Sequence, residues 1–211
     1  MKAIVLTLAL ALGAGAFAER AAAADITVAG GCFWCVEADF EKVRGEGDAV
    51  SGYTGGTVAN PTYKQVTRGG TGHYEAVRIP FDAGQVSRDQ LYSMFFRSVD
   101  PTDAGGQFCD RGESYRTAIF VDGPEDRAAA ERAKAEAEKA LGQEIVTPIL
   151  DAKPFYEAEE YHQDYYKKDD LILSRFGPIS KEKAYDRYRD ACGRDQRVRQ
   201  LWGDAAPFAG S

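Results

Sequence analysis

The residues of this sequence most suited to chemistry are two cysteines three positions apart. Cys32 and Cys35 stand in the stretch GGCFWCVEADF, with Phe33 and Trp34 between them. A C-x-x-C pair can act as a redox couple, as half of a zinc site or as a structural disulfide. Structural zinc takes four ligands, and the remaining cysteines and histidines do not stand at the spacings that zinc sites use. We therefore expect no metal, which leaves redox chemistry and a structural disulfide as the main alternatives.

The residues around the pair predict that Cys32 begins a helix. A predicted strand at 26–29 ends on two glycines, and the apolar residues that follow recur at helical spacing as far as Gly45. Because a helix N-terminus favours negative charge, we expect the pKa of the Cys32 thiol to be lowered. Cys35 lies one turn further along the same face, where its thiol can attack an oxidised Cys32 with little backbone movement.

Strands and helices alternate irregularly along the rest of the chain. The stretch GDAVSGYTGG is predicted to be a strand followed by a glycine-rich loop, and further strands are predicted over YEAVRIPF, RTAIFVD and EIVTPIL. Helices are predicted to begin after Ser87, at Pro124 and after Ser180, and the last of them to end near Cys192. Several long loops separate these elements. The pattern indicates an α+β fold with helices packed on a mixed sheet, rather than a regular βαβ array.

The composition and the N-terminal residues limit the partners and the cellular location that this protein can have. The chain has 211 residues, of which 44% are hydrophobic and 28% charged, with a net charge of −7. This balance argues against nucleic acid as a partner. Residues 1–24 are interpreted as a secretory signal peptide with cleavage near 18 or 23–24. We expect a single domain over 25–211 with a C-terminal helical extension from about 170, periplasmic or secreted, and not bound to a membrane after cleavage.

An oxidising compartment would make disulfides available to all four cysteines. Cys109 and Cys192 are isolated in the sequence, so a structural disulfide remains an alternative for them. A domain of roughly 190 residues can bury a sufficient core without such crosslinks.

Six motifs resemble, in order, those of the type-A peptide methionine sulfoxide reductases. They are GGCFWCVEADF, GYTGG, NPTYKQV, TGHYEAV, CDRGESYR and PFYEAEEYHQDY, between about residues 27 and 165. The resemblance implies an oxidoreductase that reduces methionine-S-sulfoxide, free and in proteins, to methionine. We expect its fold to be a two-layer sandwich with a ferredoxin-like core.

The resemblance also implies a role for each motif residue. Cys32 is the nucleophile that attacks the sulfoxide sulfur, and Glu75 is the acid that protonates the oxygen, which requires a raised pKa. Tyr63 and Tyr115 hydrogen-bond the oxygen as it gains charge. The implied substrate-binding residues are Phe33, Trp34 and Asp110. The two aromatic side chains would hold the methyl group of the substrate.

The reaction leaves a sulfenic acid on Cys32, which a second thiol must convert to a disulfide. We expect Cys35 to be this resolving cysteine, with Cys109 and Cys192 as alternatives. Cys192 is one because many relatives resolve with a cysteine on the C-terminal tail, and Cys109 would lie near Cys32 if its loop packs against the site. An external dithiol such as thioredoxin then regenerates the thiols, without any further cofactor. The expected partners are oxidised proteins, free methionine sulfoxide and this reductant, and the chain is expected to be a monomer.

Two other functions remain open. One is a general thiol-disulfide oxidoreductase or isomerase that uses Cys32 and Cys35, and the other is a secreted binding module crosslinked by them. In thioredoxin-type enzymes the residues between the cysteines are usually small, proline or histidine. The Phe-Trp pair here favours a pocket for a small apolar group instead. His73 and His162 are expected to be structural rather than catalytic.

Overall fold

The computed structural model describes residues 24–45, 47–175 and 177–210, so the predicted signal peptide lies outside it except for Ala24. The strands are β1 (Ala24–Gly30), β2 (Val50–Thr54), β3 (Tyr74–Phe81), β4 (Gly106–Gln107), β5 (Asp110–Arg111), β6 (Thr117–Val121), β7 (Ile149–Asp151), β8 (Tyr156–Glu157), β9 (Leu171–Ser174) and β10 (Gly177–Ser180). The α-helices are α1 (Phe33–Phe40), α2 (Tyr63–Arg68), α3 (Arg88–Ser98), α4 (Pro124–Leu141), α5 (Lys181–Ala191) and α6 (Arg194–Trp202). Short 3-10 helices occupy Glu113–Tyr115, Tyr165–Lys167 and Gly203–Ala205.

The main sheet is mixed and has the strand order β7-β6-β1-β3-β2-β8. Its neighbouring strands are antiparallel, apart from β6 and β7, which are parallel. Along the chain, β1, α1, β2, β3, α3 and β6 form a βαββαβ unit whose strands stand in the order β6-β1-β3-β2. This is the ferredoxin-like arrangement, and it confirms the predicted α+β core.

The two faces of the sheet bury different clusters because side chains alternate along each strand. Val28 and Val77 lie in the main core, together with the apolar residues of α1, α3 and α4. Ala29 and Ala76 belong to a separate cluster. Glu75 stands two residues before Val77 in β3 and therefore lies on the helix-covered face, where α1 begins.

Capping residues define the long helices as the sequence predicts. Ser87 begins α3 in a capping box with Gln90, and Pro124 opens α4, which ends at a left-handed Gly142. The predicted strand over EIVTPIL is shorter in the structure, where only Ile149–Asp151 pairs with β6. Pro148 has no backbone N–H to donate, so it takes part only through its carbonyl oxygen, which accepts from the Ile119 amide over 3.0 Å. No helix within the described ranges is long and apolar enough to cross a membrane.

The C-terminal extension packs back onto α1 through buried charges. Arg189 in α5 donates to Asp39 of α1 over 2.7 Å, and Arg194 of α6 lies 3.7 Å from the other oxygen of that carboxylate. Arg194 also donates to the carbonyl oxygen of Gly30 at the end of β1. These contacts fix α5 and α6 beside the helix that carries both free cysteines. The sequence did not predict α6 or the hairpin of β9 and β10.

Candidate active site

A small pocket of about 80 Å³ opens at the start of α1. Its residues come from α1, α2, β3, the segment around β5 and α5, so distant parts of the chain meet there. The lining residues are Cys32, Phe33, Trp34, Tyr63, Glu75, Asp110, Tyr115 and Tyr188. The structure thus brings together all of the predicted site residues except Cys35, which lies one helical turn behind Cys32.

The two cysteines of α1 are free and buried, with 7% of Cys32 and 2% of Cys35 exposed. Cys32 is the N-cap residue of α1, and the Cys35 amide donates to its carbonyl oxygen over 3.1 Å. Their thiols also hydrogen-bond each other. The predicted spacing therefore places the sulfurs where a disulfide can form with little movement of the backbone.

The prediction that helix position lowers the pKa of Cys32 is wrong for this structure. Burial raises that pKa well above its ordinary value, and the hydrogen bond with Cys35 and the charges of Glu75 and Asp110 act in the same direction. The pKa of Cys35 is lowered, chiefly by the hydrogen bond from Cys32 and further by the charges of Arg194 and Arg189. In the resting pocket Cys32 is therefore a thiol, and its proton must leave during the reaction.

Glu75 meets the requirement for an acid at neutral pH. It is 1% exposed, and burial raises its pKa to about 8. One carboxyl oxygen, Oε2, accepts from the Phe33 amide over 3.1 Å. That amide belongs to the first turn of α1, where N–H groups have no partner within the helix. The other oxygen, Oε1, is buried without a hydrogen-bond partner, so it is available to a substrate.

Tyr63 and Tyr115 line the same pocket as the acid. Tyr63 opens α2, whose N-cap Thr62 forms a capping box with Gln65. Burial, reinforced by the charge of Glu75, raises the pKa of both phenols, so both remain hydrogen-bond donors at neutral pH. The two hydroxyl groups interact with each other, and that of Tyr115 also interacts with Glu75.

The aromatic pair between the cysteines is held by residues of the later aromatic segment. The ring of Trp34 stacks on Tyr165, with centroids 3.8 Å apart, and its indole N–H donates to Nδ1 of His162 over 3.2 Å. Burial lowers the pKa of His162 to about 4, which keeps the ring neutral and able to accept. The ring of Phe33 stacks on Tyr63 at 6.3 Å. Both aromatic side chains line the pocket.

His73 has a structural environment away from the cysteines. Its Nδ1 accepts from the Gly56 amide over 3.2 Å, and its Nε2 lies 2.7 Å from the Val58 carbonyl oxygen. With both ring nitrogens bonded to the backbone, the side chain holds the loop that follows β2. This geometry agrees with the role expected for it.

Cys109 and Cys192 form a disulfide that joins the β4–β5 segment to the end of α5. Neither is therefore a free thiol in this structure, and their bond is the alternative pairing that the sequence left open. Asp110 follows Cys109 and lines the pocket, where its carboxylate accepts from the hydroxyl of Tyr188. Burial raises the pKa of Asp110.

Tyr188 is the pocket residue that the sequence interpretation missed. Its ring meets Trp34 edge to face, with centroids 6.4 Å apart. The sequence did hold a signal, because Tyr185, Tyr188 and Cys192 recur at helical spacing in an otherwise charged helix. That stripe indicates a buried face, but not what it packs against.

Two groups of side chains in the described part of the chain have donor atoms close enough for a metal ion. Cys109, Asp110 and Cys192 form one group, in which both sulfurs are already bonded to each other. Glu37, Glu41 and Asp164 form the other. The ammonium group of Lys167 lies 2.6 Å from Glu41 and 2.8 Å from Asp164, so a protein cation already compensates this acidic group.

A buried thiol, a neutral carboxyl and two phenols around one small pocket define a thiol-dependent oxidoreductase. Residues 24–202 match the family described as peptide methionine sulfoxide reductase. The chain is 48% identical over 194 residues to peptide methionine sulfoxide reductase MsrA 2 of Caulobacter vibrioides, covering 91% of this chain and 92% of the relative. The chain therefore belongs to the peptide methionine sulfoxide reductase family, as the six motifs predict.

Solved structures give the same result. Mxr1 from Saccharomyces cerevisiae in reduced form matches with a TM-score of 0.66 and 32% identity, over 70% of this chain and 86% of that one. Mxr1 in complex with Trx2 matches with a TM-score of 0.51 and 25% identity, over 68% of this chain and 86% of that one.

Proposed function

We propose that this protein is a peptide-methionine (S)-S-oxide reductase that acts on free and protein-bound methionine sulfoxide. The observation that carries the proposal is the pairing of Cys32 with Glu75 in one pocket. A sulfoxide sulfur is a poor electrophile until its oxygen is protonated or strongly hydrogen-bonded. With a pKa of about 8, the buried Glu75 is protonated at neutral pH and can supply that proton.

In the first step Glu75 protonates the sulfoxide oxygen and Cys32 attacks the sulfur. The attack forms a bond between the two sulfurs. The S–O bond of the substrate then breaks as the oxygen passes to the Cys32 sulfur, and the S–S bond breaks at the same time, which leaves Cys32 as a sulfenic acid. The substrate sulfur gains two electrons and the Cys32 sulfur loses two, so methionine leaves without any further oxidant or reductant. The proton lost from the Cys32 thiol returns Glu75 to its acid form, which balances the step.

The neighbouring side chains favour this transition state. The phenols of Tyr63 and Tyr115 stabilise the oxygen as it gains charge, because donors already held in a dry pocket need little reorganisation. Phe33 and Trp34 supply an apolar wall for the substrate methyl group. Asp110 positions the substrate beside that wall.

In the second step Cys35 resolves the sulfenic acid. Its sulfur attacks the Cys32 sulfur, a disulfide forms and water leaves. The lowered pKa of Cys35 increases the fraction of thiolate, which is the attacking species. The hydrogen bond between the thiols in the resting structure supports Cys35 rather than Cys109 or Cys192, which are bonded to each other.

A dithiol protein then reduces the Cys32–Cys35 disulfide by thiol exchange, and no other cofactor takes part. The match to yeast Mxr1 in complex with Trx2 supports a thioredoxin-like reductant for this chain. We further propose that residues 1–24 direct export, so that a monomeric enzyme works in the periplasm or outside the cell. Sequencing the N-terminus of the exported protein tests this, with a first residue near 19 or 24–25 expected.

The direct test is incubation of the purified protein with dithiothreitol and each epimer of methionine sulfoxide, with methionine followed by chromatography. Turnover of the S-epimer alone is expected. No turnover of that epimer would contradict the proposal.

The adjacent free thiols of Cys32 and Cys35 are also compatible with a second function, that of a thiol-disulfide oxidoreductase. Insulin reduction measured on the same preparation separates the two. Rapid insulin reduction without sulfoxide turnover would favour this second function.

A further inference from the structure

Tyr188 occupies the pocket although it belongs to the C-terminal extension and to none of the six motifs. Its ring stands edge-on to Trp34, and its hydroxyl donates to Oδ2 of Asp110. It is partly buried, and its phenol lies close enough to Cys32 for their charges to influence each other. Because Cys32 and Tyr188 line the same small pocket, a substrate side chain bound beside Cys32 contacts Tyr188 as well.

A covalent bond joins the same two elements as the Tyr188 hydrogen bond. Cys192 lies four residues after Tyr188, one turn further along the same face of α5. Its partner Cys109 immediately precedes Asp110. The disulfide and the hydrogen bond thus run side by side between α5 and the segment that carries Asp110, so the disulfide holds Tyr188 at the pocket.

A third contact joins the same helix to α1. Arg189, next to Tyr188, donates to the buried carboxylate of Asp39 on α1 over 2.7 Å. Because α1 also carries Cys32, the helix that presents Tyr188 is anchored to the nucleophile's own helix. The helix that carries the ring is therefore anchored to two separate elements, as a rigid binding surface requires.

We infer that Tyr188 is a substrate-binding residue, supplied by the C-terminal extension and held in place by the Cys109–Cys192 disulfide. This rests on the proposed function. The ring contributes apolar surface to the methionine side chain beside Trp34, and the hydroxyl holds Asp110 in its orientation. Loss of the hydroxyl alone and loss of the whole ring are therefore expected to weaken substrate binding by different amounts.

Binding is measured without chemistry in a Cys32→Ser background, which needs no reductant and leaves the disulfide intact. Isothermal titration with a blocked methionine-S-sulfoxide amide gives the dissociation constant. Tyr188→Ala is expected to raise it about tenfold, the scale of a lost aromatic contact. Tyr188→Phe keeps the ring and is expected to raise it about threefold, the scale of one hydrogen bond.

Asp186→Ala is the matched control, because Asp186 is exposed on the same helix. It is expected to bind as the parent does. If Tyr188→Ala binds as tightly as the parent, the inference is overturned. Thermal melting checks that each variant folds, and if Tyr188→Ala does not fold, Tyr188→Gln, which also removes the apolar ring, takes its place with the same expected rise.

The role of the disulfide is tested by a double-mutant cycle in the same background. Replacing Cys109 and Cys192 by serine is expected to raise the dissociation constant about threefold, and to add nothing once Tyr188 is alanine. Such coupling supports a disulfide that acts through Tyr188. If the serine replacements raise the dissociation constant by the same factor whether or not Tyr188 is alanine, the disulfide does not act through Tyr188.

Steady-state turnover separates the inference from the function on which it rests. With Cys32 present and dithiothreitol supplied, Tyr188→Ala is expected to raise KM for methionine-S-sulfoxide about tenfold with a smaller change in kcat. If the unmodified protein turns over and Tyr188→Ala matches it in both constants, the inference fails and the function stands. If the unmodified protein shows no turnover, the proposed function itself fails.

Discussion

Two pairs of cysteines lie near one pocket and differ in almost every physical respect. Cys32 and Cys35 are free, buried and hydrogen-bonded to each other within a single helix turn. Cys109 and Cys192 are bonded across 83 residues of sequence and join a segment to the end of α5. The first pair can gain and lose a disulfide with little movement of the backbone. The second crosslinks two separate elements, so breaking it affects the architecture of the pocket.

Charge separates the pairs further. Glu75 and Asp110 disfavour a thiolate at Cys32, whereas Arg189 and Arg194 favour one at Cys35. Neighbouring sulfurs in one helix turn therefore receive opposite electrostatic environments. This difference suits a thiol that reacts together with a proton transfer and a second thiol that reacts as an anion.

The largest effect is expected from Cys32→Ser. A serine hydroxyl is a far weaker nucleophile toward sulfur, so turnover of methionine-S-sulfoxide should fall on the order of 10³-fold or more. Methionine release with dithiothreitol, followed by chromatography, measures it. Substantial residual turnover would show that another group attacks the substrate. The reaction could then no longer be assigned to the Cys32–Cys35 pair alone.

Glu75→Gln is expected to lower the single-turnover rate by a smaller factor, about 10²-fold. The amide still donates a hydrogen bond to the sulfoxide oxygen but cannot transfer a proton. The rate of single turnover measures this loss. A variant with the unmodified rate would reject the acid role.

The acid role also fixes a pH dependence. Glu75 must be protonated to act, and its raised pKa of about 8 means that the acid form predominates below that pH and is lost above it. The single-turnover rate constant should therefore fall as pH rises through about 8, and Glu75→Gln should lack this fall. A fall that persists unchanged in Glu75→Gln would assign the titration to another group.

Cys35→Ser should separate the two steps of the reaction. The first turnover should keep its rate, since Cys35 acts only after methionine has formed, while steady turnover with a thioredoxin-like protein falls about tenfold or more. Trapping with a sulfenic-acid reagent should find Cys32 modified. Loss of the first turnover as well would mean that Cys35 takes part in the attack.

The smallest effect tests the charge difference. In a Cys32→Ser background, Arg194→Met should raise the pH midpoint of Cys35 alkylation by about one pH unit, because a buried cation near the thiolate is lost. Arg197→Met on the same helix is the control, since Arg197 pairs with Asp100. If the folded Arg194→Met variant has an unchanged midpoint, Arg194 of α6 does not favour the thiolate of Cys35.

The sequence predicts what local patterns encode. Capping residues located the starts of α3, α4 and α5, and alternation located β3, because each signal acts within a few residues of the chain. The five strands were predicted without their pairing, and the pairing of β7 is limited at Pro148, which has no backbone N–H to donate. The ferredoxin-like order of the strands was accessible through the resemblance of the motifs.

The site was predicted where motifs carried it and missed where distant segments meet. Cys32, Glu75 and their neighbours stand in recognisable stretches, whereas Tyr188 reaches the pocket only because α5 folds back onto α1. The pKa of Cys32 was predicted in the wrong direction, because helix position is local but burial and the nearby carboxylates are tertiary.

The most direct test of the division between the pairs is disulfide mapping after one turnover. Protein with reduced Cys32 and Cys35 is treated with one equivalent of methionine-S-sulfoxide, alkylated and digested, and the linked peptides are identified by mass spectrometry. We predict a new Cys32–Cys35 bond with the Cys109–Cys192 bond retained. Cys32 linked to Cys109 or Cys192 instead would contradict the account.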